Sequence, residues 1–314
     1  MRAWRAILVV GCCVAVQAAE FKPVAKVQLP CESSSQMVSP NGDQVAVRCK
    51  DHSLRLVDMA GGREQHVFTG DNPVASSAYS RDGRWFAVGL NGGWVEIVPT
   101  SGSAAAKKWK ADEHRIDTVQ FLGGDLILVA GADQPGGIWE VRDVPKLLAS
   151  LQSDFAGLTA SAISDDGKLL ATADGDTVLR VYDTSSWKKT QEYRGLKLET
   201  FAVPFTRDGK YLLAGGADNY ISVLEAASGK EVHRLGGETG YVVDILPLGD
   251  SRNAVAVYLD TDGLKPPHAV VWNLETMKAE PLKPEHQPTG GGLVRGKLWV
   301  TSADGSWLQA WAYQ

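Results

Sequence analysis

A turn signature returns along this chain at nearly constant intervals, and such a repeat constrains the fold more than any single motif does. Most copies end in an acidic or small residue followed by glycine, as in Ser80-Arg81-Asp82-Gly83. The glycines of the seven copies are Gly42, Gly83, Gly124, Gly167, Gly209, Gly249 and Gly296. Their successive intervals are 41, 41, 43, 42, 40 and 47 residues. The chain therefore divides into seven units of similar length.

Each turn lies between two short stretches rich in apolar residues, which is the pattern of a β-hairpin. In the fourth unit, Ser161–Ile163 precedes the turn and Lys168–Ala171 follows it, and a third stretch, Val178–Tyr182, comes after another polar turn. Several units add a fourth stretch of outer-strand character. Four short strands per unit predict an all-β fold, a seven-bladed β-propeller of four-stranded antiparallel blades. The segment Val144–Leu151 instead allows a turn of helix.

The two ends of the chain complement each other in this scheme. The seventh unit stops at Trp311-Ala312-Tyr313-Gln314 and supplies only three strands. The segment Val24–Leu29 precedes the first unit and has no unit of its own. We therefore expect this N-terminal strand to complete the last blade and close the ring, which removes exposed sheet edges.

The repeat resembles the WD-repeat (Trp-Asp repeat) family. An aspartate stands in the turn six residues before the position that the family fills with Trp, and an acidic residue follows that position. In this chain the turn aspartates are Asp51, Asp133, Asp176 and Asp218, and the later acidic residues are Asp58, Glu140, Asp183 and Glu225. The family's Gly-His dipeptide is missing and its Trp position is degenerate. The resemblance covers residues 21–314 and implies a structural role for the four turn aspartates.

The first nineteen residues have the pattern of a secretory signal peptide. Arg2 and Arg5 precede the apolar run Ala6–Val16, and Ala18 and Ala19 offer small residues for cleavage. We therefore expect residues 20–314 to form one exported domain, periplasmic or extracellular, with no membrane segment after cleavage. An alternative is lipid anchoring at Cys12, because the residues Val-Val-Gly before it resemble a lipobox.

Cleavage of this leader would leave two cysteines, Cys31 and Cys49, on either side of the hairpin turn Pro40–Asp43. Antiparallel pairing around that turn places them roughly opposite each other, at a separation close to what a disulfide requires. Since disulfides persist in exported proteins, we expect these two residues to be bonded.

The charge balance argues against nucleic acid as a partner. The chain has 32 Lys and Arg against 37 Asp and Glu, a net charge of −5, and loss of Arg2 and Arg5 makes the balance still more acidic. We find no polybasic run of the kind that forms an electrostatic footprint for a phosphate backbone.

Motifs for catalysis or cofactor binding are missing from the sequence. It contains no Gly-x-Ser-x-Gly elbow, no phosphate loop followed by Lys-Ser or Lys-Thr, and no ligand-like spacing of its six histidines. Asp260-Thr261-Asp262-Gly263 resembles half of a calcium loop but lacks the further oxygen ligands and distal Glu, so an extended hairpin turn is favoured. We therefore predict a protein that is not an enzyme and holds no cofactor or metal.

The WD-repeat resemblance implies where a partner would bind, namely the face formed by the loops entering the inner strands and by the turns between second and third strands. The candidate residues on that face are His52, His114, Arg115, Glu199, Tyr220, Tyr241, Asp260 and Asp262. Their mixed charge and aromatic content favours a protein or peptide partner of a monomeric interaction scaffold. Two alternatives stay open: a propeller enzyme of lactonase or hydrolase type, and a propeller that binds a small ligand or cofactor such as a quinone.

Overall fold

The computed structural model describes most of the chain after residue 20. The described ranges are 21–69, 73–101, 104–131, 136–151, 157–249, 251–260, 268–282, 291–294, 297–301 and 306–313. The predicted leader 1–19, with Cys12, and the two residues Asp133 and Asp262 lie outside them. Within these ranges every regular element is a β-strand, which confirms the all-β prediction.

The described residues form 28 strands in seven four-stranded sheets. The first strand, β1, spans Phe21–Gln28. Sheet 1 contains β2 (Ser33–Val38), β3 (Gln44–Cys49), β4 (Leu54–Asp58) and β5 (Glu64–Phe68), and sheet 2 contains β6 (Val74–Tyr79), β7 (Trp85–Leu90), β8 (Trp94–Pro99) and β9 (Lys107–Lys110). Sheet 3 contains β10 (Ile116–Gly123), β11 (Leu126–Gly131), β12 (Gly137–Glu140) and β13 (Lys146–Ser150), and sheet 4 contains β14 (Leu158–Ile163), β15 (Leu169–Asp174), β16 (Leu179–Asp183) and β17 (Lys188–Tyr193). Sheet 5 contains β18 (Thr200–Ala202), β19 (Tyr211–Gly216), β20 (Ile221–Glu225) and β21 (Glu231–Leu235), and sheet 6 contains β22 (Tyr241–Pro247), β23 (Asn253–Leu259), β24 (His268–Asn273) and β25 (Ala279–Leu282). Sheet 7 contains β26 (Gly291–Val294), β27 (Lys297–Thr301), β28 (Trp307–Tyr313) and β1.

Sheet 7 joins the two ends of the described chain. Strand β1 pairs antiparallel with β28, from Phe21 opposite Tyr313 to Gln28 opposite Trp307, with one irregularity between Pro23 and Ala25. The predicted N-terminal segment Val24–Leu29 overlaps this strand. The other six sheets each use four strands that are consecutive in sequence.

The recurring turn signature has a direct structural explanation in the hairpin between the first two strands of a sheet. In sheet 4, the Ser164 hydroxyl donates to Asp166 at 2.7 Å and accepts from the Leu169 amide at 3.0 Å. Gly167 takes a φ of +73°, which glycine adopts without steric cost. This hydrogen bond from Ser164, with further bonds from Lys168, holds the pKa of Asp166 down to about 2. Serine, aspartate and glycine thus fix one reverse turn together, and that is why they recur as a unit.

The hydrophobic core lies between neighbouring sheets. Leu54 and Leu56 of sheet 1, for example, pack with Phe86 and Val88 of sheet 2. Equivalent clusters join sheets 2 and 3, 3 and 4, 4 and 5, and 5 and 6, and one cluster joins sheet 1 to the β1–β28 region of sheet 7. Burial of each such Leu or Phe side chain contributes about 1.5–3 kcal/mol. Packing between sheets therefore dominates the stability of this fold.

The helical turn considered for Val144–Leu151 is wrong, because Lys146–Ser150 forms β13, the outer strand of sheet 3. The strand contains Leu147, Leu148 and Ala149, which have high helix propensity. Pairing with β12, from Glu140 opposite Lys146 to Gly137 opposite Ser150, supplies backbone hydrogen bonds that a single isolated helical turn could not match.

The predicted disulfide between Cys31 and Cys49 is present, with 5.8 Å between the two Cα atoms. Its position differs from the sequence expectation in one respect. Cys49 lies opposite Ser33, after an irregularity between Ser33 and Ser35, and Cys31 precedes β2. The bridge therefore ties the loop entering sheet 1 to the end of the second strand, diagonally across the hairpin.

Candidate functional site

The candidate residues belong to two sets of loops that meet at the same end of every sheet. One set enters the first strand of a sheet, and the other connects its second and third strands. We call this end of the molecule the loop face. Seven of the eight predicted residues are described, and Asp262 is the exception.

One cleft on the loop face brings two of these residues together. It lies between sheets 1 and 2 and extends to the start of sheet 3. It has a volume of about 590 Å³ and includes both His52 and Arg115. We call it the sheet 1–2 cleft. Its lining consists of Arg48, Cys49, Lys50, His52, Pro73, Val74, Ala75, Asn91, Arg115 and Asp117.

Arg48, which the sequence argument missed, forms one wall of this cleft. Its guanidinium donates to the backbone oxygens of Val74 at 2.6 Å and of Ala75 at 3.3 Å. These bonds connect the second strand of sheet 1 to the first strand of sheet 2. Burial lowers the pKa of Arg48 from its usual value, and a guanidinium with so high a starting pKa nevertheless remains charged.

The turn that carries Lys50 and His52 is held in place from several sides. The amide of Lys50 donates to the backbone oxygen of Glu32 at 3.0 Å, and the Lys50 and Glu32 side chains form an ion pair. The amide of Ser53 donates to the Asp51 carboxylate at 2.9 Å. His52 takes a φ of +67°, in the left-handed region. With the disulfide at Cys49, these contacts make the turn a rigid edge of the cleft.

Arg115 stands on the sheet 2–3 side of the cleft. Its Nε lies 2.5 Å from Oδ1 of Asp117, and 58% of the Arg115 side chain is exposed. The hydrogen bond that Arg115 donates to Asp117, together with the negative charge of Asp117, raises the pKa of Arg115. An ion pair this exposed is worth at most about 1 kcal/mol, so Arg115 can exchange Asp117 for another carboxylate at little cost.

His114 faces a different place, although it precedes Arg115 directly. It lines a groove of about 430 Å³ with Lys110, Glu113, Trp139 and Leu147. Its Nδ1 lies 3.6 Å from the Asp112 carboxylate, which also accepts a hydrogen bond from the His114 amide at 2.9 Å. The structure therefore separates two residues that are adjacent in sequence.

The remaining candidates lie around sheets 5 and 6 and do not line the sheet 1–2 cleft. Tyr220 is 45% exposed. Its ring lies so close to Gly236 that a side chain at that position would clash, and the ring centre is 5.9 Å from the Arg234 guanidinium. Tyr241 begins β22 and its ring lies 6.1 Å from that of Phe201. The predicted set thus shares a face without forming one pocket.

Two further candidates, Glu199 and Asp260, lie in the same region. The backbone oxygen of Glu199 accepts from the Ala217 amide at 2.9 Å, which places it beside the turn that carries Tyr220. Asp260 directly follows Leu259, the partner of Tyr241 in sheet 6. Nearby, His268 lies 3.2 Å from the Glu238 carboxylate and stacks on Tyr258.

The turn aspartates have a shared role in the backbone. The carboxylates of Asp51, Asp176 and Asp218 accept from the amide two residues later at 2.9, 2.7 and 3.3 Å, respectively. Each bond closes the turn between second and third strands, as expected for aspartate in turns. Asp133 lies outside the described residues.

An arginine four residues after the turn aspartate is a second element that the sequence argument missed. Arg180 bonds Asp176 at 2.5 Å and Asp174 at 2.7 Å, and only 2% of its side chain is exposed. Burial alone would raise the pKa of Asp176, but the bonds from Arg180 outweigh it and hold that pKa at about 2. Asp51 pairs in the same way with Arg55, at 3.0 Å. The spacing is visible in the sequence and could have been found by aligning the units.

The described residues contain no group of three or more His, Cys, Asp or Glu side chains that could hold a metal ion. Among them there is also no helix long and apolar enough to cross a membrane.

The carboxylate of Asp244, on β22, has a pKa near neutrality. Burial raises this pKa to about 7, although a hydrogen bond from the Ile245 amide acts in the opposite direction.

Comparison with known proteins supports the WD-repeat resemblance. Residues 145–183 match the family model described as WD domain, G-beta repeat, and this match contains the Asp176–Arg180 pair. THO complex subunit 3 of Arabidopsis thaliana is 24% identical over 200 residues, covering 62% of this chain and 62% of that protein. SEC12-like protein 1 of the same plant is 25% identical over 210 residues, covering 62% of this chain and 53% of that protein. The matches thus span between half and two thirds of each relative.

Among solved structures, a chain in the crystal structure of the Mitotic Checkpoint Complex has a similar fold. The TM-score is 0.78 at 16% sequence identity, and the alignment covers 99% of this chain and 96% of that one. At this identity the likeness concerns the fold alone.

Proposed function

We propose that this chain is an exported, monomeric, closed seven-bladed WD-repeat propeller that binds a protein or peptide through its loop face without catalysing a reaction. The observation that carries the proposal is the sheet 1–2 cleft, an open site whose walls are fixed before any partner arrives. Preorganised walls reduce the ordering cost of binding. Exposed aromatic and arginine side chains elsewhere on the loop face, such as Tyr220, are of the types that dominate interface energetics.

Ring closure rests on sheet 7 and its neighbour. The pairing of β1 with β28 gives sheet 7 its fourth strand. Leu29 and Leu308, at that end of the chain, pack with Val45 and Val57 of sheet 1. A ring closed in this way holds the loops at fixed relative positions, as a binding face requires.

Export rests on the leader pattern of residues 1–19 and on the bond between Cys31 and Cys49. Disulfides persist in oxidising compartments and are rare in the cytosol. The two plant relatives give no support for a bacterial exported type, so this part of the proposal depends on this chain's own residues.

A double substitution on the loop face tests the binding function. Arg115→Ala with Tyr220→Ala removes two exposed side chains, whereas Tyr241 is left intact because it packs against Phe201. We expect capture of the partner from the exported fraction to fall at least tenfold. The free energy of unfolding should change by no more than about 1 kcal/mol, the size of the lost contact between Tyr220 and Arg234.

Arg84→Ala with Lys168→Ala is the control, because both side chains are exposed, at 78% and 79%, and lie in turns at the opposite end of the sheets. Equal loss of capture by both double variants would contradict the proposal. So would turnover of a lactone, ester or sugar substrate that disappears on changing Asp260 or Glu199, since that would make the protein an enzyme.

A further inference from the structure

The sheet 1–2 cleft has a surplus of positive charge in an acidic protein. Arg48, Lys50 and Arg115 line it, with a single lining carboxylate, Asp117. Glu32 is close by through its pair with Lys50. The chain as a whole has a net charge of −5. With Glu32 counted, three cations face two carboxylates, and the cleft keeps a net charge of +1. A concave site with a positive excess attracts negatively charged ligands.

The three cations differ in how they are held, and the difference matters for binding. Arg48 is anchored on the backbone oxygens of Val74 and Ala75 and cannot move far. Lys50 and Arg115 have side chains that are 63% and 58% exposed and paired with Glu32 and Asp117. Exposed pairs of this kind contribute little to stability, so a ligand carboxylate can replace the internal partner at small cost.

The size and the apolar part of the cleft favour a chain segment over a small anion. A volume of about 590 Å³ is in the range that accommodates drug-sized ligands. Pro73 and Ala75 give the cleft an accessible apolar wall between the charged groups, and the buried side chains of Val74 and Cys49 lie behind it. A single inorganic anion would leave most of this space and all of this wall unused.

We propose that the sheet 1–2 cleft binds an acidic peptide segment of the protein partner, with Lys50 and Arg115 on its carboxylates and Pro73 and Ala75 against its apolar side chains. This inference rests on the proposed function, of which it specifies the partner chemistry. Complementary charge also speeds the encounter and makes the binding sensitive to salt.

Fluorescence anisotropy on the purified chain from residue 20 tests the inference. The probe is a short labelled peptide of alternating Glu and Leu, compared with the same peptide in which Gln replaces Glu. We expect the Glu peptide to bind at least tenfold more tightly, with an affinity that falls as salt rises. Equal affinity for the two peptides would overturn the proposal.

Arg115→Glu and Arg84→Glu form a matched pair of variants. Arg115 and Arg84 both use Nε to bind an aspartate two residues away, at 2.5 and 2.6 Å, but Arg84 lies at the opposite end of the sheets. Arg115→Glu should weaken the Glu peptide at least tenfold and Arg84→Glu should not. Lys50→Gln serves as a milder second variant whose thermal unfolding shows that the fold is kept. Equal effects of Arg115→Glu and Arg84→Glu would overturn the proposal.

Inorganic phosphate distinguishes a peptide site from a small-anion site. If millimolar phosphate binds the cleft and a Glu–Ser peptide binds as well as the Glu–Leu peptide, the apolar wall plays no part and the proposal fails. Partner capture that depends on Arg115 and Tyr220 while the Glu–Leu peptide does not bind would refute this inference and leave the proposed function standing. If the Glu–Leu peptide does not bind and partner capture does not depend on Arg115 and Tyr220, both this inference and the proposed function are refuted.

Discussion

Sheets 1 and 4 contain the same turn and hold it in different ways. In each sheet an aspartate closes the turn and pairs with an arginine four residues later, Asp51 with Arg55 and Asp176 with Arg180. The residue two positions before the aspartate differs. Sheet 4 has Asp174, which adds a second carboxylate to Arg180, whereas sheet 1 has Cys49, which forms the disulfide.

The charged side chains of the two turns also differ in their burial. Arg180 and Asp174 are each only 2% exposed at the side chain, but Arg55 is 23% and Asp51 is 56% exposed. A buried charge cluster must be complete, since removal of one member leaves the others uncompensated. Sheet 1 instead fixes its turn covalently, so its charged and polar side chains remain available at the surface. That turn is the one that borders the sheet 1–2 cleft.

The largest expected effect is the loss of the buried arginine. Arg180→Met should lower the free energy of unfolding by about 3–5 kcal/mol, because Asp174 would remain buried without its cation. Arg55→Met, the equivalent change in sheet 1, should cost at most about 1 kcal/mol. Urea unfolding of both variants measures the contrast. Asp174→Asn added to Arg180→Met should recover part of the loss, and equal small losses for the two arginines would refute the comparison.

The disulfide comes next in size. Cys31→Ser with Cys49→Ser should lower the free energy of unfolding by about 3 kcal/mol, as chain entropy gives for a loop of this length. Chemical denaturation with and without reductant provides the control, since reductant should destabilise the natural chain and leave the double variant unchanged. Two titratable thiols in the unfolded, unreduced protein would show that the bridge is not formed.

The contributions of Asp176 and Asp244 to the stability of the fold should change in opposite directions with pH. Asp176 is paired with the buried Arg180, whereas Asp244 has no such arginine among the described residues. Asp176 has its pKa lowered to about 2, so it stabilises the fold above pH 4, and this contribution is lost as pH falls towards 2. Asp244 has its pKa raised to about 7, so the folded state binds more protons and its stability falls as pH rises from about 4 to 7.

Substitution of each carboxylate by its amide checks these signs. Asp244→Asn should stabilise the protein by roughly 2 kcal/mol at pH 8 and by little at pH 4. Asp176→Asn should destabilise it at pH 7, with the difference shrinking as pH approaches 2. Thermal unfolding of both variants between pH 2 and 8 measures these differences. An effect of Asp244→Asn that does not depend on pH would contradict the raised pKa of Asp244.

The smallest effect concerns the residue after each turn aspartate. His52, Thr177 and Asn219 occupy equivalent positions with φ of +67°, +63° and +65°. Asparagine tolerates this left-handed conformation, whereas a β-branched residue is strained in it. Thr177→Asn should therefore stabilise the protein by about 0.5–1 kcal/mol, and Asn219→Thr should destabilise it by a similar amount. Changes of the same sign in both variants would argue against backbone strain as the cause.

Features that depend on residues close in sequence could be predicted from the sequence, whereas features that depend on packing between sheets could not. The glycine turns, the turn aspartates and the pairing of Cys31 with Cys49 follow from residues that are near each other in sequence. The burial of Arg180 depends on how sheet 4 packs against its neighbours, and no short-range pattern encodes that. The two leucines of β13 favoured a helical turn locally, and sheet pairing overrode that preference.

The candidate site shows the same limit. Counting strands along the repeat predicts that His52, His114 and Arg115 lie in loops at the same end of the sheets. It could not show that His114 turns into a separate groove, nor that Arg48, a strand residue, reaches across to Val74. Those facts depend on side-chain directions where two sheets meet.

Site-specific photo-crosslinking tests most directly the claim that the loop face is the binding face. A crosslinking amino acid replaces Asn91, at the sheet 1–2 cleft, or Lys168, in a turn at the opposite end of the sheets. The account predicts a discrete adduct with one exported protein from position 91 and none from position 168. Adducts from position 168 alone, or equal adducts from both positions, would contradict it.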